Sequence, residues 1–358
     1  MPTFPPQDSH SKRTTMPRPA PLAVSLVLAV VAVVTTGCRE HAAPEVVVYT
    51  ALDEDFSRPI FADFTRETGI EVLAKYDAES TKTVALTQAI LAERDRPRCD
   101  VFWNNELVNT LRLDEAGLLA AYDSPVGTKY PAEYRSAEDH WFGFAARARV
   151  LIVNTDLLEE GERPDSILAL ADERWQGRCA IAKPLAGTTA SHAAVLFATW
   201  GPERAEEFFH GVKQNAAVVA GNKQVALAVA AGRYAFGLTD TDDAMIEVER
   251  GAPVAIVYPD QGPDGLGTLF IPNTLGMIRG GPNPAAAKKL VDYLLSPAVE
   301  QKLAAGPSAQ IPLNPAVDQP PRVESPRTVR AMPVDFAAAA ENWDRVAQFL
   351  RDEFATAQ

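Results

Sequence analysis

Three carboxylates fall within four residues at Asp240, Asp242 and Asp243, in the run Thr239-Asp240-Thr241-Asp242-Asp243. At this spacing acidic groups repel one another unless a cation or hydrogen-bond donors compensate. Hard oxygen ligands of this kind suit Mg²⁺, Ca²⁺, Mn²⁺ or iron. The same run also suits a helix start, because Asp and Thr are ordinary N-caps and acidic side chains favour the first helical turn. A second constellation, Pro184-Leu-Ala-Gly187-Thr188-Thr189-Ala-Ser191-His192, puts a glycine and two threonines at an expected helix start. Free backbone N–H groups and hydroxyls there suit an anion, or form a plain cap. Arg147 is a candidate partner for such an anion and equally for a structural bridge. His192, one turn into the helix, is expected to pack rather than ligate. Trp103 and Trp141 are large amphipathic residues that fit a cleft wall or a core. Ser191 and His192 are adjacent rather than set on a nucleophile elbow, and neither Gly-x-Ser-x-Gly nor His-Glu-x-x-His occurs. No enzyme and no catalytic cofactor are expected.

The elements that must position these groups alternate in type. Residues 46–49 form a compact apolar run that reads as a buried strand. Phe56, Ile60 and Phe64 then recur at helical spacing, with Gly69 as the stop. Residues 70–76 return to strand character, Ser80 is placed to cap a helix carrying Val84, Leu86, Ile90 and Leu91, and residues 100–103 make the next strand. Strand, helix, strand, helix, strand is the pattern of a parallel sheet wrapped by helices. A second series has strands at 149–153, 178–182, 216–219, 234–238 and 254–258, with helices at 188–199, 203–212 and 222–231. A turn-rich segment spans 259–267, and the tail adds helices at 284–295, 297–304 and 336–354. The expected fold is α/β with two lobes, each a mostly parallel sheet flanked by helices. Lobe 1 takes 45–146, lobe 2 takes 147–262, and 263–358 supplies the return of lobe 1 and the C-terminal helices. Crossings near residues 146 and 262 leave a cleft between the lobes, where the carboxyl ends of strands make ligand crevices.

Residues 22–38 are an apolar run that ends in Thr35-Thr36-Gly37-Cys38, preceded by Lys12, Arg13 and Arg18. That order is an export signal, and the run is short for a membrane-spanning helix. Met16 offers a second start for it. The ending is similar to the lipobox of bacterial lipoproteins, although Thr35 stands where leucine is usual. This resemblance implies that residues 1–37 are removed, that Cys38 carries lipid, and that 38–44 form a tether at the periplasmic or outer cell surface. The formal charge of −13 argues against nucleic acid or an anionic membrane surface as partner. Removing residues 1–37 makes the balance more acidic, since three cations leave with only Asp8. Cys99 and Cys179 sit in strand-like contexts as buried thiols or, in an oxidising compartment, as a disulfide.

The order of segments resembles the type II periplasmic binding proteins, receptors of ABC importers. It is most similar to the ferric-ion-binding branch of the family 1 extracellular solute-binding proteins. The resemblance rests on Val48-Tyr49-Thr50-Ala51, Phe61-Ala-Asp-Phe-Thr-Arg-Glu-Thr-Gly69, Asp100-Val101-Phe102-Trp103 and Glu115-Ala-Gly-Leu-Leu119. It continues through His140-Trp-Phe-Gly-Phe-Ala-Ala-Arg-Ala-Arg149-Val150, Asn154-Thr155, Asp172-Glu-Arg-Trp175-Gln-Gly177-Arg178, Ala230-Ala-Gly232 and Ile311-Pro-Leu-Asn314. In that branch a pair of adjacent tyrosines after a second-lobe strand holds iron; here Asp242 and Asp243 stand in their place. The resemblance implies first-lobe ligands near Asp53 and near Asn105 and Glu106, so that Asp53, Glu106, Asp242 and Asp243 line a cleft able to close on a metal ion, iron first. It implies either a metal-ligating side chain or an accompanying anion at Thr188 and Thr189. Tyr49 reads as a strand-end packing residue whose hydroxyl can also face the cleft. The resemblance further implies a monomer that delivers cargo to an ABC permease and its ATPase. The alternatives within one architecture are a phosphonate-like anion on Gly187-Thr188-Thr189 and Arg147, or a polyamine-like cation on the aspartates and tryptophans.

Overall fold

The computed structural model describes residues 43–78 and 81–356. The apolar run, Cys38, most of the tether and Ser80 lie outside the described residues. The first strand, β1 (Glu45–Thr50), buries Val46 and Val48 to Thr50 and leaves Glu45 exposed and Val47 half-buried. Helix α1 (Glu54–Thr68) follows, burying Ile60, Phe61 and Phe64 on one face. It ends at Gly69, whose φ of 70° places it in the left-handed region and lets its N–H return to the Thr65 carbonyl. Then come β2 (Glu71–Tyr76), α2 (Val84–Ala92), β3 (Val101–Asn104), α3 (Val108–Glu115) and β4 (Leu119–Ala120).

Strand β5 (Trp141–Asn154) runs for 14 residues, every one buried, and is far longer than the 149–153 strand expected. The second series is β6 (Cys179–Ala182), α4 (Gly187–Trp200), α5 (Pro202–Asn215), β7 (Ala216–Val219), α6 (Asn222–Ala230), β8 (Phe236–Asp240), α7 (Thr241–Glu249) and β9 (Val254–Val257). The chain closes with β10 (Phe270–Ile278), α8 (Pro284–Leu294), α9 (Pro297–Ala305), α10 (Phe336–Glu341) and α11 (Trp343–Phe354).

The strands run in the order β2-β1-β3-β10-β5-β8-β6-β7, with β4 on β10 and β9 on β5. The β2-β1-β3 and β7-β6-β8 sets are parallel. Strand β5 joins the two halves: residues 141–148 pair antiparallel with β10, and 149–153 pair antiparallel with β8. One half has a core of Val46, Val48, Phe64, Trp103, Phe144 and Leu290. The other packs Leu151, Phe197, Phe208, Phe209 and Phe236, and Trp343, Leu350 and Phe354 of the last helix join it. Trp103 belongs to the core, with ring contacts to Phe61 at 5.6 Å and Phe144 at 5.4 Å, and Trp141 packs with Phe102 and Leu113. Neither tryptophan is a cleft wall. Cys99 and Cys179 are buried free thiols in different cores, so the disulfide left open by the sequence does not form. No helix among the described residues is long and apolar enough to cross a membrane.

Candidate functional site

Five strands of the two parallel sets end at one crevice. Leu52 and Asp53 follow β1, Asn105 follows β3, Gly187 to Thr189 follow β6, Gly221 and Asn222 follow β7, and Asp240, Asp242 and Asp243 close β8 and open α7. Lys82, just before α2, Arg147 of β5 and Lys183 after β6 also line it. The crevice therefore sits outside the carboxyl ends of the strands, where loops leave backbone and side chains free to meet a ligand. No aromatic side chain lines it among the described residues.

At its floor lies Arg149, fully buried. Its Nη1 donates to Asp240 Oδ1 at 2.8 Å, to Asn222 Oδ1 at 3.1 Å and to Thr188 Oγ1 at 3.2 Å, while Nη2 donates to Thr189 Oγ1 at 3.1 Å. Thr188 Oγ1 and Asn222 Nδ2 donate in turn to Asp240 Oδ2 at 2.5 and 3.0 Å. Asp240 is the residue before α7, yet its side chain makes no capping bond. Burial alone would raise its pKa, but the Arg149 and Arg147 guanidiniums outweigh that and hold it below the usual carboxylate range.

Asp242 and Asp243 have a different setting. With Asp240 they can bring one oxygen each within 4.8 Å of one another. Asp242 Oδ2 faces Arg147 Nε at 3.8 Å, and its Oδ1 accepts the Asp243 N–H at 3.0 Å. Burial pushes the Asp242 carboxyl up to about 7 against the pull of Arg147, and Asp240 and Asp53 add repulsion. Burial and the neighbouring Asp242 push Asp243 well above the ordinary value. Across the crevice Asp53 pairs with Lys82. Asn105 is 4 % exposed, and its Oδ1 has no hydrogen-bond partner. That is a buried acceptor with a lone pair to offer beside the carboxylates.

The structure brings together Asp53, Asn105, Arg147, Thr188, Thr189, Asp240, Asp242 and Asp243 of the residues expected from sequence. Two do not reach the crevice. Tyr49 packs with Leu86, Ile90 and Phe102 and donates its hydroxyl to Glu93 at 3.0 Å, burial and Glu93 pushing its pKa up to about 12. Glu106 is fully buried beneath the crevice, its oxygens taken by Asn104 Nδ2 at 2.6 Å, Ser191 Oγ at 2.7 Å and the Asn109 N–H at 3.1 Å. It caps α3 and reaches the helix opposite. Arg147, expected to meet an anion, spends one Nη on the Asn105 carbonyl and faces Asp242. His192 is buried and has no place on the wall; burial lowers its pKa to about 3 and keeps it neutral.

Sequence reasoning missed Arg149, Asn222 and Lys82. For Arg149 a signal existed: it stands two residues from Arg147 in an apolar run, so on a strand both point to one face. Asn222 is marked only by the preceding Gly221, and nothing local marks Lys82.

Comparison with known proteins agrees with this architecture. An Fe(3+)-binding periplasmic protein of Serratia marcescens is 28% identical over 193 residues, covering 54% of this chain and 56% of that one, so the match spans little more than half of the relative. Iron uptake protein A1 of a Synechocystis species is 28% identical over 271 residues, 73% of each chain. Among solved structures, iron-bound HitA of Pseudomonas aeruginosa superposes with a TM-score of 0.79 at 23% identity, over 87% of this chain and 99% of that one. AfuA of Actinobacillus pleuropneumoniae, solved with fructose-6-phosphate bound, gives 0.78 at 22%, over 88% and 100%. At such identities they share the fold, a two-lobed α/β body. The two relatives are named for Fe(3+) binding and for iron uptake. Residues 108–340 match the family of bacterial extracellular solute-binding proteins, and this chain belongs to it.

Proposed function

We propose that the chain is an exported receptor that captures a hard metal cation, iron first, in the carboxylate crevice and releases it to an ABC permease. The observation that carries this reading is the convergence of Asp242 and Asp243 beside the unpartnered Asn105 Oδ1. Carboxylate and amide oxygens are the donors that hard cations prefer. Asp53 faces the same space. The iron-binding and iron-uptake names of the relatives favour iron among these ions. No tyrosine lines the crevice among the described residues, so the ligand set is carboxylate rather than phenolate. The absence of an aromatic wall disfavours a polyamine, which the tryptophans were to have held.

Metal analysis of the protein as purified, then titration of stripped protein with Fe³⁺, Fe²⁺, Mn²⁺ and Ca²⁺, tests the reading. A tight ligand must raise the melting temperature, and failure of every metal to do so sinks the cation. Anchoring through lipid on Cys38 is part of the proposal, as are a monomeric state, the permease with its ATPase, and the lobe limits near 146 and 262. Replacing Cys38 with serine moves such a protein from the membrane fraction to the soluble one.

A further inference from the structure

The groups that suit an anion at Thr188 and Thr189 already surround one. Two helices of 14 and nine residues, α4 and α6, begin at this point, and helix starts favour negative charge. Arg149, Thr188 and Asn222 place their donors on the two oxygens of Asp240 and on each other, leaving Thr189 to donate to Asn222 Oδ1 at 3.0 Å. Arg149 is wholly buried and its Nε has no partner, so the cradle has more cationic donor capacity than Asp240 alone uses. With three donors on its oxygens, Asp240 keeps little acceptor capacity for a cargo ion, unlike Asp242 and Asp243.

We propose that Asp240 is a built-in anion and a specificity-determining residue: its carboxylate fills the cradle of Arg149, Thr188 and Asn222, excludes free phosphate and carboxylates from it, and restricts the crevice to cations that bind without an accompanying anion. A free anion entering there would meet the Asp240 charge at contact distance and find its donors taken. The proposal deepens the reading of the crevice above and rests on it only for the choice of cargo. Removing the side chain leaves a carboxylate-sized space with a buried guanidinium, a hydroxyl and an amide facing it, and that space then takes an anion from solution.

The test uses the full chain, metal-free, with inorganic phosphate and with acetate as probes in thermal denaturation. The wild type keeps its melting temperature within about 1 °C at millimolar anion, and Asp240→Ala gains a few degrees. Anion-dependent recovery separates this role from a merely structural ion pair, whose loss no added anion repairs. Stabilisation of the wild type by phosphate, or an Asp240→Ala protein indifferent to both anions, overturns the proposal. Should Asp240→Ala not fold, titration of the wild type with Fe³⁺ or Mn²⁺ decides. Equal affinity with and without phosphate supports the built-in anion, and a tenfold gain with phosphate overturns it. If no metal binds at all, the cation reading fails, while the metal-free phosphate comparison still decides this one.

Discussion

Asp240 and Asp242 stand two residues apart and titrate in opposite directions because their neighbours differ. Asp240 has Arg149 and two further donors on its oxygens, whereas Asp242 has one guanidinium at 3.8 Å and two like charges nearby. The folded pKa of Asp242, about 7, exceeds the ordinary carboxylate value, so between the two the folded protein holds a proton that the unfolded chain has lost. That contribution to stability is complete below the unfolded pKa and disappears as pH rises through 7. A cation must displace the same proton. We therefore expect cation affinity to rise with pH up to about 7, by about tenfold per pH unit for each proton displaced. Calorimetry in buffers of unlike ionisation heat reads the released protons directly, and a flat affinity between pH 5 and 7.5 contradicts the assignment. Asp242→Asn with Asp243→Asn removes the two proposed ligands and the proton coupling together. Its expected signature is a loss of about 100-fold or more in affinity without loss of melting temperature in the metal-free protein. His192 works the other way. Its pKa, lowered to about 3 by burial, makes the unfolded state bind the extra proton below about 6.5. The metal-free protein then loses about 1.4 kcal/mol per pH unit through this group as pH falls from 6.5 towards 3. Urea midpoints of the wild type and His192→Gln across that range should converge as the pH is lowered.

Among the elements, β8 shows how narrowly the site is held. Gly237 is its second residue, where a Cβ would stand 2.4 Å from Val225 Cγ1 and 2.8 Å from the Ala180 carbonyl oxygen. Neither α6 nor β6 can retreat freely, because each belongs to a packed core. Gly237→Ala is expected to cost about 1–3 kcal/mol and to shift Asp240 against Asn222, so the urea midpoint and the cation affinity fall together. A variant that loses stability and binds normally would show that β8 does not set the site. This element also marks the limit of what the sequence reveals. Asp240, Asp242 and Asp243 are adjacent in the chain, so their chemistry was readable from composition alone, and the strand that precedes them was readable from its apolar run. The partners of Asp240 were not, since Arg149 stands 91 residues away and Thr188 stands 52. The register of β5 on β8 sets Arg149 opposite Asp240, and the pairing of β6 with β8 brings in Thr188 at the helix start that follows β6. Glu106 was misplaced for a related reason. A carboxylate after a strand looks the same in sequence whether it faces a crevice or is consumed by a helix start and a serine 85 residues on.

For the whole molecule, two short-range contacts tie the lobes at the crevice. The Gly187 N–H donates to the Lys82 carbonyl at 2.9 Å, and Ser191 Oγ donates to Glu106 Oε2 at 2.7 Å. Lys82 and Glu106 lie among the first-lobe elements, Gly187 and Ser191 on α4, and β5 runs continuously between the two halves. On the proposed receptor function, opening about that strand would break both bonds and closing would re-form them. Gly187 has φ 60°, which helps its N–H reach the facing loop, whereas Ser191 is replaceable without backbone strain. Ser191→Ala removes a hydrogen bond to the Glu106 carboxyl, whose pKa burial raises, a bond worth about 0.5–1.5 kcal/mol. Because Glu106 keeps Asn104 and the Asn109 N–H, most of that cost falls on the closed state rather than on the fold. The expected result is a cation affinity lower by up to about tenfold. It comes with a metal-free protein more expanded in solution scattering and a metal-binding pH profile of unchanged shape, since Asp242 and Asp243 are untouched. Unaltered affinity together with unaltered scattering would mean that this pair does not help hold the lobes closed.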